Sequence, residues 1–99
     1  YFTAVSSKAP GCYCSGVFHI HVTDCNGNVL FDTGLKDCDF KKVIFSWYEA
    51  PSLYCVHVYP QLYPDRNRYQ EVYNRDSCFG LCGDELSWSF DPQNMTYCQ

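Results

Sequence analysis

At 99 residues the chain is one domain, short enough that its core needs reinforcement. A formal charge of −4 weighs against nucleic acid or an anionic membrane as the main partner. No apolar run approaches the roughly 18 residues of a membrane-crossing helix.

The reinforcement comes from Cys12, Cys14, Cys25, Cys38, Cys55, Cys78, Cys82 and Cys98. Cys12-x-Cys14 and Cys78-x3-Cys82 are not a matched pair of zinc knuckles, so the eight read as four disulfides whose pairing the spacing leaves open. Each bridge is expected to stabilise by about 2–4 kcal/mol, mainly by restricting the unfolded chain. Disulfides persist in oxidising compartments, so the chain is expected to be secreted, in a mature form with its leader removed. Asn94-Met95-Thr96 is a candidate glycosylation sequon. Neither a metal ion nor a cofactor is expected.

Tyr1 to Pro10 shows no period and reads as an arm or a short edge strand. Val17 to Thr33 reads as a β-hairpin turned at Asn26-Gly27, residues that tolerate the positive φ of a type I′ turn. Counting from that turn sets Asp24 against Val29, Val22 against Phe31 and His21 against Asp32. Phe18, Ile20, Val22 and Phe31 then share the core face, and His19 and His21 share the other. Gly34 to Cys38 reads as a loop.

Asp39 to Tyr48 fits two periods. Phe40, Val43, Ile44 and Trp47 suit a helix, whereas the β-branched and aromatic run from Val43 suits a strand, the preferred reading. Leu53 to Tyr59 is a strand with bulk on both faces, as in the middle of a sheet. Asp65 to Asn74 is again two-sided, and the alternation of Tyr69, Glu71 and Tyr73 favours a strand. Asn74 to Asp84, with two glycines and two cysteines, reads as a loop. Glu85 to Phe90 alternates with Leu86, Trp88 and Phe90 inward. Asp91 to Asn94 reads as a turn and Met95 to Cys98 as a return strand. These elements predict a mostly-β, disulfide-stapled antiparallel sandwich over residues 1–99. The alternative is α+β, with helices near 39–48 and 65–75.

Two stretches could carry function. His19 and His21 share a face with Asp32 opposite His21, and a carboxylate beside an imidazole raises its pKa and orients its ring. Such a set could act as a ribonuclease-type acid/base pair, with Asp32 or Glu49 as the acid, or form part of a metal site. The bland reading is an ordinary cross-strand pair. His57, alone on a bulky strand, reads as structural. Arg66, Arg68 and Arg75 interleave with Tyr69 and Tyr73, residue types enriched at protein hot spots, and form the expected binding surface. No nucleophile elbow or phosphate-binding glycine loop is present.

Phe45-Ser46-Trp47, Leu53-Tyr54-Cys55, Tyr69 to Asp76, and Cys82 followed by Trp88 and Cys98 come in the order found in plant self-incompatibility S-protein homologues. The C-terminal half resembles that family of small secreted β-sandwich proteins, which implies a signalling ligand. In composition the whole chain is similar to the small secreted cysteine-rich effectors of plant-pathogenic fungi, killer-toxin-like ones included. That likeness implies a virulence effector or toxin; its killer-toxin-like members imply the α+β alternative. The reading that follows is a monomeric, secreted, non-enzymatic protein that binds a receptor or host protein.

Overall fold

The structure, a computed structural model, describes residues 1–39 and 41–99. Its strands are β1 (Thr3–Ser6), β2 (Val17–Thr23), β3 (Val29–Asp37), β4 (Val43–Trp47), β5 (Leu53–Pro60), β6 (Arg68–Tyr73), β7 (Ser77–Gly83) and β8 (Trp88–Pro92). A 3₁₀ turn, Met95–Cys98, follows. Two four-stranded sheets result, in the orders β4-β1-β7-β8 and β3-β2-β5-β6. Each pairing is antiparallel except the parallel β1–β7 pair at the centre of the first sheet. No α-helix occurs among the described residues, so the strand reading holds in both two-sided stretches, over Val43–Trp47 and Arg68–Tyr73. Phe40, part of the helical alternative, lies outside the described residues.

Alternation builds the core. Phe18, Ile20 and Val22 of β2, Tyr54, Val56 and Val58 of β5, and Val72 of β6 turn inward from the second sheet. Val5, Phe45, Phe79, Leu81, Trp88 and Phe90 meet them from the first. Tyr54 carries its hydroxyl across the interface to Ser77 Oγ at 3.3 Å, and Ser77 donates to Thr3 Oγ1 at 2.8 Å. The buried hydroxyls are thereby satisfied rather than stranded.

The bridges are Cys12–Cys82, Cys14–Cys38, Cys25–Cys55 and Cys78–Cys98. The first two tie the segment after β1 to the end of β7 and to the residue after β3. Cys25–Cys55 fastens the hairpin loop to β5, and Cys78–Cys98 fastens the C-terminal turn to β7.

Several expectations are corrected. The N-terminal stretch is no arm or edge: β1 lies inside its sheet, paired on both sides. Val5 faces the main core and Ala4 a second cluster with Cys78 and Cys98, so both faces are buried and no period remains to be read. Residues 77–83, expected as loop, are the interior strand β7. Gly80 is there for space, since a Cβ at that position would stand 2.0 Å from Gln93 Nε2. Gly34 to Cys38 continues β3 as far as Asp37 instead of looping. β8 begins at Trp88, so Glu85 to Ser87 lie in a turn in which Asp84 Oδ1 accepts from the Leu86 and Ser87 amides. Leu86, expected inward, is 66 % exposed, while Trp88 and Phe90 point inward as expected. β8 also runs on through Asp91 and Pro92, and the expected return strand is the 3₁₀ turn, capped by Asn94.

The hairpin forms with a wider turn than expected. Val22 pairs with Phe31 and His21 with Asp32, but Thr23 pairs with Val29, leaving Asp24 to Asn28 as the loop. Positive φ falls at Cys25 and Gly27, not at Asn26. Asp24 organises the loop: its carboxylate accepts from the Asn26 and Asn28 amides and from the Asn28 side chain at 2.7 Å. Phe31, on an edge strand, is 39 % exposed and caps the sandwich against Phe45 and Trp47 instead of filling its centre.

Candidate functional site

The two outer faces differ. On the first sheet, Ala4, Cys78 and Cys98 pack with Met95 and Tyr97 of the C-terminal turn. The outer face of the second sheet carries the polar and aromatic side chains. One register row crosses all four strands as Asp32, His21, His57 and Tyr69. The neighbouring row carries Leu35, His19 and Tyr59.

The three histidines are therefore contiguous. His21 and His57 stack with ring centroids 4.7 Å apart and 9° between planes. His19 meets His21 edge-on at 5.4 Å and Tyr59 at 4.8 Å. Tyr69 stacks on the far side of His57, at 5.4 Å.

Asp32 makes its hydrogen bond to His19, not to His21 as the register suggested. Its Oδ1 lies 2.6 Å from His19 Nε2 and also accepts from the Gly34 amide at 2.8 Å. Thr33 is an extra, unpaired residue between the His21–Asp32 and Ile20–Gly34 pairs. Such a bulge re-aims a side chain, and Gly34 accommodates it with φ +73°. The Gly34 amide, and then the His19 ring, hold the Asp32 carboxyl below the usual carboxylate range. On its other side His19 Nδ1 lies 2.6 Å from the Tyr59 hydroxyl, completing a Tyr59–His19–Asp32 chain. Taking the carboxylate to accept from Nε2–H, the phenol donates to Nδ1.

His21 is different. Its Nδ1 is buried without a hydrogen-bond partner. Burial, then the neighbouring His57 and His19, push its pKa down, against a smaller upward pull from Asp32. The expected rise is thus reversed. His57 is lowered too, by burial, with a hydrogen bond to Asn67 opposing. His57 Nε2 also meets Thr23 Oγ1 at 2.9 Å.

The expected Arg/Tyr surface divides. Arg66 lies 4.6 Å over the Tyr63 ring and donates to the Leu86 carbonyl at 3.3 Å. Arg68 lies 4.3 Å over the Trp88 ring and donates to the Trp88 carbonyl. Gln70 donates to the Phe90 carbonyl at 3.0 Å. Residues 66, 68 and 70 thus take the carbonyls of 86, 88 and 90 in step, and this ladder joins the second sheet's β6 edge to the first sheet's β8 edge. Covering an edge in this way guards against strand addition. Tyr69 and Tyr73 point the other way, 61 % and 63 % exposed, with Glu71 between them. Arg75 is exposed beyond the end of β6. Glu49 is exposed after β4, in the other sheet.

Elsewhere, an open depression of about 360 Å³ is lined by Gly11, Tyr13, Cys82, Gly83 and residues 87–89, with Tyr13 its one titratable side chain. Asn94 is exposed, and its Oδ1 accepts from the Thr96 amide and hydroxyl.

The chain is thus a β-sandwich with four disulfides, and such cross-linking fits a protein that matures under oxidising conditions. No helix among the described residues is long and apolar enough to cross a membrane. Comparison with family models, with curated proteins and with solved structures gives no match.

Proposed function

We propose that this is a secreted, non-enzymatic binding protein, an effector or toxin-type ligand whose partner is a protein outside or on the surface of a target cell. The observation that carries the reading is the exposure of Tyr69 and Tyr73, two residues apart on the outer face of β6. Tyrosines on a rigid sheet offer large amphipathic area at little entropic cost, which is how protein-binding surfaces use them. Arg75 lies close by in sequence, beyond the strand end. Arg66 and Arg68 support the surface from behind, through the ladder to β8. Four disulfides accord with work outside the cell.

Labelled protein is expected to bind intact target cells saturably. Tyr69→Ala/Tyr73→Ala should lower that binding at least about tenfold, the loss of one modest hot spot, and protease treatment of the cell surface should abolish it. Undiminished binding by the double variant overturns the assignment of the surface. A signalling ligand of the S-protein kind is a variant of the same reading, distinguished by capture of one specific receptor.

The Tyr59–His19–Asp32 chain supports a second reading, a ribonuclease-like hydrolase, because a base oriented by a carboxylate is a recurring catalytic unit. Incubation with RNA decides it. Cleavage that disappears in His19→Ala favours the enzyme, and intact RNA favours the binding protein.

A further inference from the structure

His57 was expected to serve the fold alone. The β2–β5 pairing instead sets it directly across from His21, with His19 two residues along the same strand. His-x-His on one strand and a histidine on its neighbour put three imidazoles side by side on one face. Three imidazoles are the donor set of a known class of zinc sites, and imidazole nitrogen is a preferred ligand of zinc and copper. We propose that His19, His21 and His57 bind one divalent transition-metal ion, of the zinc and copper type, on the outer face of the second sheet.

Three further observations support the site. First, His21 Nδ1 is buried with no hydrogen-bond partner; an orphaned buried nitrogen in a native fold calls for an explanation, and a ligating role supplies one. Second, the outer shell of a metal site is in place. A ligating imidazole keeps its orientation by using its other nitrogen on a carboxylate, hydroxyl or carbonyl. His19 has Asp32 at 2.6 Å and His57 has Thr23 Oγ1 at 2.9 Å. Third, the three histidines are half-buried on the outer face, so the site lies at the surface and not in the core.

The three rings are held by contacts with one another and with their neighbours. Among the described residues, the one group of three or more potential ligand atoms within 4.8 Å is Cys25, Cys55 and Glu71, whose two sulfurs are bonded to each other. Loading the histidines therefore requires the His21–His57 stack to part. It also requires one nitrogen of His19 to be released, where the Tyr59 hydroxyl yields more easily than the Asp32 carboxylate, and His57, which bonds Asn67 as well as Thr23, to free a nitrogen. Tyr59 is in this sense a competitor of the ion.

The test is calorimetric titration of the intact oxidised protein with zinc chloride at neutral pH, together with electron paramagnetic resonance of the copper(II)-loaded protein. One ion per chain and nitrogen hyperfine structure are expected. His21→Gln and His57→Gln should each weaken binding at least about tenfold, and Asp32→Asn should weaken it within the roughly 10–100-fold range of an outer-shell loss. Glu71→Gln should leave it unchanged, and Tyr59→Phe should strengthen it. Tyr59→Phe removes one hydroxyl from a half-buried ring, so it keeps the test available if a histidine variant fails to fold. No saturable uptake, affinity undiminished in both histidine variants, or weaker binding by Tyr59→Phe overturns the proposal.

Discussion

The His21 and His57 rings face each other 4.7 Å apart across the β2–β5 pair, within 9° of parallel. Two rings stacked in this way are compatible while both are neutral and repel when both are charged. Each has a folded-state pKa below its ordinary value of 6.5. As pH falls through 6.5 the unfolded chain takes up protons that the folded chain refuses, so stability falls. The loss continues until pH passes the folded pKa values, and above pH 6.5 the contribution is complete. Asp24 and Asp32, both held below 3.8, give a second loss as pH falls below that value. Urea midpoints measured in chelator from pH 8 to pH 3 should show two stages. His21→Gln/His57→Gln should remove the upper one, and a wild-type curve flat from pH 8 to pH 5 contradicts the stacked arrangement.

Arg68 and Trp88 anchor the ladder that joins the two sheets along one edge. Trp88 is 7 % exposed, packs edge-on against Phe18 at 5.4 Å and carries the Arg68 guanidinium on its other side. Trp88→Ala should cost about 3–5 kcal/mol in denaturant unfolding. Arg68→Ala should cost about 0.5–1.5 kcal/mol. Arg68→Lys should recover little, because an ammonium lacks the planar stack and the fork. Full recovery by lysine means that charge alone matters there.

Two glycines are expected to fail for different reasons. At Gly27 a Cβ meets nothing within 4 Å, but φ is +99°, so Gly27→Ala should cost about 1–2 kcal/mol through backbone strain. At Gly80 a Cβ meets the Gln93 side chain at 2.0 Å, so Gly80→Ala should cost about 1–3 kcal/mol through overpacking. Gln93→Ala should rescue Gly80→Ala and leave Gly27→Ala unaffected. Equal rescue of both, or of neither, contradicts the contact.

The strands exposed on one face were legible. Phe18, Ile20 and Val22 alternate with His19 and His21, and Tyr54, Val56 and Val58 with Cys55 and His57, and each set faces as its period demands. β1 and β7 were not legible, because the first sheet buries both their faces and small residues replace alternation. Gly80, Cys78 and Cys82 of β7 look like loop residues until Gln93, Cys98 and Cys12 are seen to pack on them in turn. The His19–Asp32 bond needed the bulge at Thr33, which no spacing announces. The place of His57 needed the β2–β5 pairing, a long-range choice made by the whole core. The Arg66, Arg68 and Gln70 ladder likewise depends on β6 and β8 being the adjacent edges of two sheets. An arginine–tyrosine run on its own cannot show which of its residues face outward.

Everything proposed for the outer face depends on the β2–β5 and β5–β6 pairings of the second sheet and on the first sheet lying against it. Peptide mapping by mass spectrometry of non-reduced digests tests that arrangement most directly. The expected bridges are Cys12–Cys82, Cys14–Cys38, Cys25–Cys55 and Cys78–Cys98, with no free thiol. Any other pairing, or a free thiol at two or more positions, contradicts the arrangement and the face built on it.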